Sequence, residues 1–320
     1  GSGPSSCGSA RVRPPTIDAM DTATLSPSPT PASGAEHAHV LTLACTNRMG
    51  IVHAVSGALL QVGADITESQ QYDSPESGDF FMRVEFVTPA RREEVAAALE
   101  PVREEFGMRM GLWDAGHRMR TLVMCSKDGH TLNDLLFQQR AGTLPIEIPV
   151  VVSNHLELQS LASFYGVPFI HVPVSADPES RDSKAAAEDR LRGLIAEYDI
   201  ELVVLARYMQ ILSDELCRDL AGMAINIHHS FLPSSRAARP YHQAHERGVK
   251  LIGATAHYVT ADLDEGPIIA QSVQPVTHAQ TAADFVARGR DVEGSTLVQA
   301  VRWHAQHRVL ADGRRTVVFS

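Results

Sequence analysis

Three polar side chains with catalytic potential end a short apolar run in the stretch AINIHHSFLPSS, residues 224–235. Successive side chains of a strand point to opposite faces, so Asn226 and His228 share one face and His229 lies on the other. An amide N–H can donate to a developing oxyanion, and an imidazole can donate a hydrogen bond or move a proton near neutral pH. Asn226 and His228 are therefore candidate catalysts. A hydrogen-bonded cap on a strand end is the alternative interpretation.

A second polar cluster lies in the stretch GATAHYVTADLDEGPII, residues 253–269. His257 falls within a predicted strand, and the loop after that strand carries Asp262 and Asp264 and closes at Gly266. A carboxylate on such a loop could orient or deprotonate a water molecule, or hold an imidazolium. An ordinary acidic turn is the alternative, and the residues alone favour it.

Other catalytic classes lack their sequence signatures. His242 and His245 lie three positions apart on a predicted helix, but no HExxH motif or Cys/His ligand set accompanies them, so we expect no metal. The GxSxG elbow of a serine hydrolase is also absent. The loop SKDGHT, residues 126–131, has one glycine and lacks the GxGxxG pattern of a dinucleotide cradle.

The elements that must position these residues read as two domains. From Arg120 onward, nearly continuous β-branched runs alternate with helical patterns, which predicts a Rossmann-like α/β domain, residues 117–320, with a mostly parallel sheet. Ligands of such sheets bind beyond the carboxyl ends of the strands. Polar residues follow three predicted strands, at 153–155, at Arg207-Tyr208 and from Asn226 onward. The polar tip thus falls where this architecture places a site.

The N-terminal third has a different pattern. Residues 37–116 read as βαββαβ, a ferredoxin-like layout, and residues 1–36 are rich in Gly, Ser and Pro, which predicts a disordered tail. At the other end of the chain we predict a long helix over about 282–307 and a closing hairpin on an Asp-Gly turn.

Composition restricts the partners and the compartment. The 320 residues are 44% hydrophobic and 21% charged with a net charge of −10, which indicates a globular chain without the basic patch that nucleic-acid binding needs. No apolar run reaches the roughly 18 residues of a membrane span. The four cysteines form no CxxC pair, and the N-terminus lacks a secretory pattern, so we predict reduced thiols and a cytoplasmic protein.

Several longer motifs resemble a known family. The stretches NIHHSFLP, PYHQAHERGVKLIGATAHYVT and LDEGPIIAQ resemble the folate-dependent formyltransferase superfamily, and within it the formyltetrahydrofolate deformylase branch. LARYMQILSDEL, RDVE and an ACT-like segment at the N-terminus resemble the same branch, so that the likeness covers about residues 38–320. The ACT-like segment would be residues 37–116.

The resemblance implies an activity and its residues. The reaction would be hydrolysis of 10-formyltetrahydrofolate to formate and tetrahydrofolate, which supplies formate for purine synthesis, with no cofactor beyond the folate substrate. The catalytic residues implied are Asn226, His228 and Asp264. The implied substrate-binding residues are Met209, Ile211, Leu212, His257, Asp262 and Gly266. The resemblance raises Asp264 from a turn residue to a catalyst.

Two departures from the superfamily pattern leave alternatives open. Where the transformylases carry a glycine-rich loop for the acceptor's phosphate, this chain has SKDGHT, so water is the expected nucleophile and transfer to an amine acceptor is the alternative. Ser235 to Arg239 replace an expected bulky residue and glycine, which keeps a folate-binding sensor with weak turnover as a further alternative. The ACT-like domain would bind an amino-acid effector or act only in forming a dimer or tetramer.

Overall fold

The structure, a computed structural model, describes residues 36–177, 179–229 and 240–320. The predicted disordered tail lies outside the described residues except for Glu36, and the Ser235–Arg239 departure lies outside them entirely. Residues 36–320 form a single structural unit. The domain boundary at 116/117 therefore stays a prediction from the sequence.

The first part of this unit is a four-stranded antiparallel sheet covered on one face by two helices. The strand order is β2-β3-β1-β4, and the element order βαββαβ confirms the predicted ferredoxin-like layout. The elements are β1 (His37–Thr46), α1 (Ile51–Gln61), β2 (Asp65–Asp73), β3 (Asp79–Thr88), α2 (Arg92–Phe106) and β4 (Arg109–Asp114). Alternate apolar residues of β1 and β3 meet the inner faces of α1 and α2 in one core.

The second part is built on a seven-stranded sheet with the order β11-β10-β9-β8-β5-β6-β7 among the described residues. Strands β5 to β9 run parallel, and β10 and β11 are antiparallel additions at one edge. The elements from β5 to β8 are β5 (Met119–Cys125), α3 (His130–Arg140), β6 (Ile146–Ser153), α4 (Gln159–Phe164), β7 (Phe169–His171), α5 (Lys184–Glu197) and β8 (Leu202–Ala206). Those that follow are α6 (Asp214–Asp219), β9 (Ala224–His228), α7 (Pro240–Glu246), β10 (Leu251–Tyr258), β11 (Ile268–Pro275), α8 (Ala282–Ala305), β12 (Val309–Asp312) and β13 (Arg315–Val318).

Burial on both faces explains the apolar runs of the central strands. All five residues of β8, LVVLA, are buried, with alternate side chains entering the cores on either side of the sheet. Helices α3 and α8 cover one face, and α5 and α6 cover the other. The chain leaves β7 at one edge and returns to β8 beside β5, so the carboxyl ends of β5 and β8 flank a topological switch point.

The antiparallel sheet is joined to the second part through a buried arginine and the C-terminal hairpin. Arg83 on β3 is 1% exposed and donates to the carbonyl oxygen of Gln306, which follows α8, over 3.0 Å. The same guanidinium pairs with Glu68 at 3.2 Å and with Glu85. Phe81 and Phe319 meet in a small apolar cluster between β3 and the end of the chain.

The C-terminal end of the last long helix differs slightly from the predicted one. The last long helix ends at Ala305. His307, two residues later, has a φ of +53°, and a left-handed residue at this place ends the helical hydrogen bonding. The closing hairpin forms on Asp312-Gly313 as predicted.

Candidate active site

A cavity of about 350 Å³ opens where the carboxyl ends of β8 and β9 meet β10 and the loop 259–267. The strand register puts His257 directly opposite Asn226. Apolar side chains form most of the wall, and polar groups gather on one side of it: Asn226, His228, His257 and Asp264. An apolar cavity with a few convergent polar groups is the usual form of a small-molecule site.

Asp264 lies at the centre of the polar side. Its carboxylate is 3.3 Å from Nδ1 of His228 and 3.7 Å from Nε2 of His257, and it accepts a hydrogen bond from Nδ2 of Asn226 over 3.5 Å. The hydrogen bond from His228 is the largest effect on this carboxylate, and together with the nearby ring of His257 it outweighs burial and holds the pKa of Asp264 well below its usual range. Asp264 is therefore an anion throughout the neutral range.

The backbone sets the tautomer of His257. Its Nδ1 lies 2.9 Å from the carbonyl oxygen of Tyr258, which can only accept, so Nδ1 carries the ring proton. In the neutral ring Nε2 is then an acceptor, and Nδ2 of Asn226 donates to it over 3.3 Å. The amide N–H groups of Asn226 consequently face His257 and Asp264 at long distances, and these bonds can yield to a stronger acceptor.

The loop that presents Asp264 is tightly constrained. Asp264 itself has a φ of +59°, a left-handed conformation that costs energy for any residue with a side chain. Gly266 is buried where a Cβ atom would collide with the carbonyl oxygen of Tyr258. Asp262 is exposed and absent from the cavity wall, and its carbonyl oxygen accepts from the hydroxyl of Thr260 at 2.9 Å. Asp262 and Gly266 thus shape the loop, while Asp264 faces the cavity.

The loop after β8 forms the apolar wall. Met209 and Ile211 are 61% and 62% exposed, Leu212 is nearly buried, and all three border the cavity. The hydroxyl of Ser126 accepts from the backbone N–H of Met209 over 3.0 Å and donates to Oδ1 of Asn154 over 2.7 Å. The polar ends of β5 and β6 therefore hold this loop in place.

A buried charged network that the sequence did not reveal adjoins the cavity. His229, which the sequence left unassigned, stacks on His228 and lies 2.7 Å from Arg207. Arg207 in turn faces Glu293 of α8. Two features of the sequence pointed only weakly to this network. Arg207 is a polar residue directly after a buried strand, and Glu293 belongs to the RDVE stretch.

Neither a metal centre nor a membrane span is found in the part of the chain that the structure describes. Within residues 36–177, 179–229 and 240–320, no group of three or more His, Cys, Asp or Glu side chains is arranged to hold a metal ion. In the same ranges, no helix combines the length and apolar character that a membrane crossing requires.

Comparison with known proteins places the chain in a family. The family model described as Formyl transferase matches residues 119–301. A formyltetrahydrofolate deformylase from Corynebacterium sp. (strain P-1) is 50% identical over 283 residues, which are 88% of this chain and 97% of that protein. The chain belongs to the formyltetrahydrofolate deformylase family. Another deformylase, from Bacillus subtilis, is 43% identical over 88% of this chain and 93% of its own length.

The solved structures agree with this membership. The crystal structure of the formyltetrahydrofolate deformylase from Burkholderia mallei matches with a TM-score of 0.84 and 45% identity, over 89% of this chain and all of that one. A match of this extent includes both sheets. The family resemblance and the fold class predicted from the sequence are therefore confirmed.

Proposed function

We propose that the chain hydrolyses 10-formyltetrahydrofolate to formate and tetrahydrofolate. The observation that supports this most directly is the meeting of Asn226, His228 and Asp264 at one side of an apolar cavity. The relatives of this chain are named formyltetrahydrofolate deformylase, and an enzyme with that activity would need such a site. One-carbon balance and the supply of formate for purine synthesis would be its cellular role.

The chemistry follows from the groups on the polar side. Water attacks the formyl carbon, the carbonyl oxygen gains negative charge, and the bond from that carbon to the folate nitrogen then breaks as the nitrogen takes a proton. The anionic carboxylate of Asp264 can take the proton of the attacking water or hold His228 as an imidazolium. Because Nδ1 of His228 faces Asp264, the Nε2–H group of the imidazolium form is left to donate to the oxyanion or to the leaving nitrogen.

Asn226 would be the second oxyanion donor. Its amide N–H groups are held by His257 and Asp264 only over 3.3 and 3.5 Å, near the limit for a hydrogen bond. An oxyanion is a stronger acceptor than a neutral imidazole, so it can draw one of these N–H groups away as charge develops.

The folate ring would lie on the apolar wall. Met209, Ile211 and Leu212 offer contact surface for a flat heterocycle, and backbone groups of the loop 262–266 offer hydrogen bonds to its edge. A volume of about 350 Å³ holds a ring system and leaves the rest of a folate outside the cavity.

The SKDGHT loop supports water over an amine acceptor. Asp128 of this loop pairs with Arg207 at 3.5 Å and with Arg290 at 3.7 Å, and His130 pairs with Glu293 at 2.9 Å. The carboxylate at the place of a phosphate cradle engages these two arginines, which a phosphorylated acceptor would otherwise contact. The loop thus favours hydrolysis over formyl transfer.

The deciding experiment adds purified protein to 10-formyltetrahydrofolate and follows formate and tetrahydrofolate. We expect catalytic release of both in equal amounts. Formylation of added glycinamide ribonucleotide without formate release would instead identify a transferase. Folate binding without turnover would identify a sensor.

We further propose a regulatory and dimerisation role for an ACT-like domain over residues 37–116, with 117–320 as the catalytic domain. Strand β2 lies at an edge of its sheet and exposes Ile66 and Tyr72, which would suit pairing with a second copy in a dimer or tetramer.

The cytoplasm is the compartment we propose. Burial raises the pKa of the free thiols of Cys45, Cys125 and Cys217, as expected of reduced, unreactive cysteines.

A further inference from the structure

Arg207 occupies a strained position beside the cavity. It directly follows β8 and has a φ of +63°, in the left-handed region that long side chains rarely adopt. Its side chain is only 16% exposed. Strain of this kind persists only where surrounding contacts hold the residue, which raises the question of what the guanidinium does.

The guanidinium determines the tautomer of a neighbouring imidazole. Its Nη1 lies 2.7 Å from Nδ1 of His229. A guanidinium can only donate, so Nδ1 of His229 accepts this hydrogen bond and the ring proton of neutral His229 lies on Nε2. The short contact with Arg207 is incompatible with a proton on Nδ1, and so with an imidazolium at His229.

A buried carboxylate balances the charge of Arg207. Oε2 of Glu293 lies 3.5 Å from Nε of Arg207 and 2.9 Å from Nε2 of His130, and the hydroxyl of Tyr241 donates to Oε1 over 2.6 Å. Burial alone would raise the pKa of Glu293, but the hydrogen bond from His130 and the charge of Arg207 lower it. Glu293 is therefore an anion although it is 1% exposed.

The neutral state of His229 matters because His229 stacks on His228. The ring centroids are 4.9 Å apart and the planes are inclined by 20°. The pKa of His229 is lowered to about 4, first by burial and then by the charges of Arg207 and His228, while Glu293 and Asp264 act in the opposite direction. Two stacked imidazolium ions would repel each other, so a neutral His229 removes that repulsion from the face of His228.

We propose that Arg207 is a positioning residue that keeps His229 as the neutral Nε2–H tautomer, and that Glu293 holds Arg207 in place, so that His228 alone carries the catalytic proton. This role rests on the proposed hydrolysis at His228. It assigns a task to a buried ion pair that touches neither Asn226 nor Asp264. The positive charge of Arg207 lowers the pKa of His229, and the negative charge of Glu293 raises it. Variants of the two residues should therefore shift that pKa in opposite directions.

The test uses 15N-histidine NMR of the full chain, with Arg207→Met and Glu293→Gln as the variants. In the unmodified protein His229 should show a protonated Nε2 and an unprotonated Nδ1 down to about pH 5.5, well below the ordinary histidine pKa of about 6.5. Arg207→Met removes the cation and leaves Glu293, so His229 should titrate at least about one pH unit higher. Glu293→Gln leaves the cation unbalanced, so His229 should stay neutral throughout.

Activity measurements form the second part of the test. In Arg207→Met the acid side of the kcat profile should move to higher pH, with kcat reduced about tenfold or more near pH 6 and KM little changed. Arg207→Lys should restore part of the profile because it keeps the charge. Arg290→Met is the matched control, since Arg290 also pairs with Asp128 but is 53% exposed and does not contact His229. We expect it to behave as the unmodified protein.

A comparison of Arg207→Gly with Arg207→Ala separates this role from folding. The glycine variant relieves the left-handed strain, so it should melt at a higher temperature than the alanine variant. Both variants should show the same altered titration of His229. If Arg207→Met leaves the titration of His229 unchanged, or if Glu293→Gln raises the pKa of His229 as Arg207→Met does, the proposal is wrong. Because the NMR readout needs no turnover, it decides this point even if the hydrolysis assay fails.

Discussion

At the scale of single residues, the site depends on how two carboxylates are partnered. Asp264 has imidazoles on two sides, which hold its pKa low, so its charge is present at and above neutral pH and is lost only in strong acid as pH falls through that low pKa. Glu293 is balanced by Arg207 and His130 on the other side of the stacked histidines. Any loss of activity in mild acid should therefore not arise from Asp264.

Replacement of Asp264 by asparagine tests its role. An amide can neither take the proton of water nor stabilise an imidazolium at His228, so kcat should fall at least about a hundredfold. Folate binding should change little because the apolar wall is intact. Steady-state kinetics and calorimetric titration with a non-hydrolysable folate would measure the two effects.

The control for this variant lies one residue further on. Glu265 belongs to the same loop, is exposed, and has a distant ion pair with Arg314 at 3.9 Å. Glu265→Gln should keep normal turnover, since it removes a charge of the same sign without touching the cavity. Near-normal turnover in Asp264→Asn would show that the carboxylate is not a catalyst.

At the scale of elements, the crossing of the loop 259–267 over the end of β10 aligns the polar groups. The backbone N–H of Tyr258 donates to the carbonyl oxygen of Pro267 over 2.9 Å, and the carbonyl oxygen of Tyr258 accepts from His257. Gly266 makes this close approach possible because it has no Cβ atom. The backbone of Tyr258 thus holds the loop through its N–H group and sets the tautomer of a cavity residue through its carbonyl group.

Gly266→Ala should disturb both functions of the Tyr258 backbone. The new methyl group would displace the Tyr258 carbonyl, cost about 1–3 kcal/mol of stability through overpacking, and lower kcat by misplacing His257 and Asp264. Denaturant unfolding and steady-state kinetics would measure these losses.

A glycine in α1 provides the matched control for this substitution. Gly57 has open space where its Cβ would be, so Gly57→Ala should be neutral or stabilise the protein by up to about 1 kcal/mol. If Gly266→Ala were as stable and active as Gly57→Ala, the close approach at Tyr258 would have no role in the site.

At the scale of the whole molecule, the antiparallel sheet is linked to the helix that carries Glu293. Arg83 on β3 bonds to the carbonyl oxygen of Gln306, immediately after α8, and Glu68 of β2 pairs with Arg308 at 2.9 Å. A shift of the sheet would therefore act first on the C-terminal end of α8. If the antiparallel sheet binds an effector as proposed, these contacts are where the sheet meets the end of α8, the helix that carries Glu293.

Titration with glycine or methionine tests whether the ACT-like domain is a sensor. A ligand that binds only the folded state stabilises it by about 2.7 kcal/mol at a hundred times its Kd, so the melting temperature should rise and kcat should change. Sodium chloride at matched concentration is the control for non-specific effects. Flat titrations with both amino acids would leave the domain a purely structural, dimer-forming unit.

The sequence alone determined the order of the elements and the location of the polar strand end. Periodicity is a local property, so the alternation of Asn226, Ile227 and His228 and the buried run of β8 predicted faces and strands without knowledge of neighbours. Asp264 was assigned only by family resemblance, because its own surroundings in the sequence are those of a turn. The family likewise pointed to Met209 and Ile211.

Only the tertiary structure decided which groups meet and in which protonation state. The antiparallel register of β9 and β10 puts His257 opposite Asn226, and the return of the chain to β8 brings Arg207 against His229 and Glu293. Such distances depend on strand register, loop crossing and helix packing between segments far apart in the chain. Hydrogen bonds and burial then set tautomers and pKa values, which no local pattern of residue types encodes.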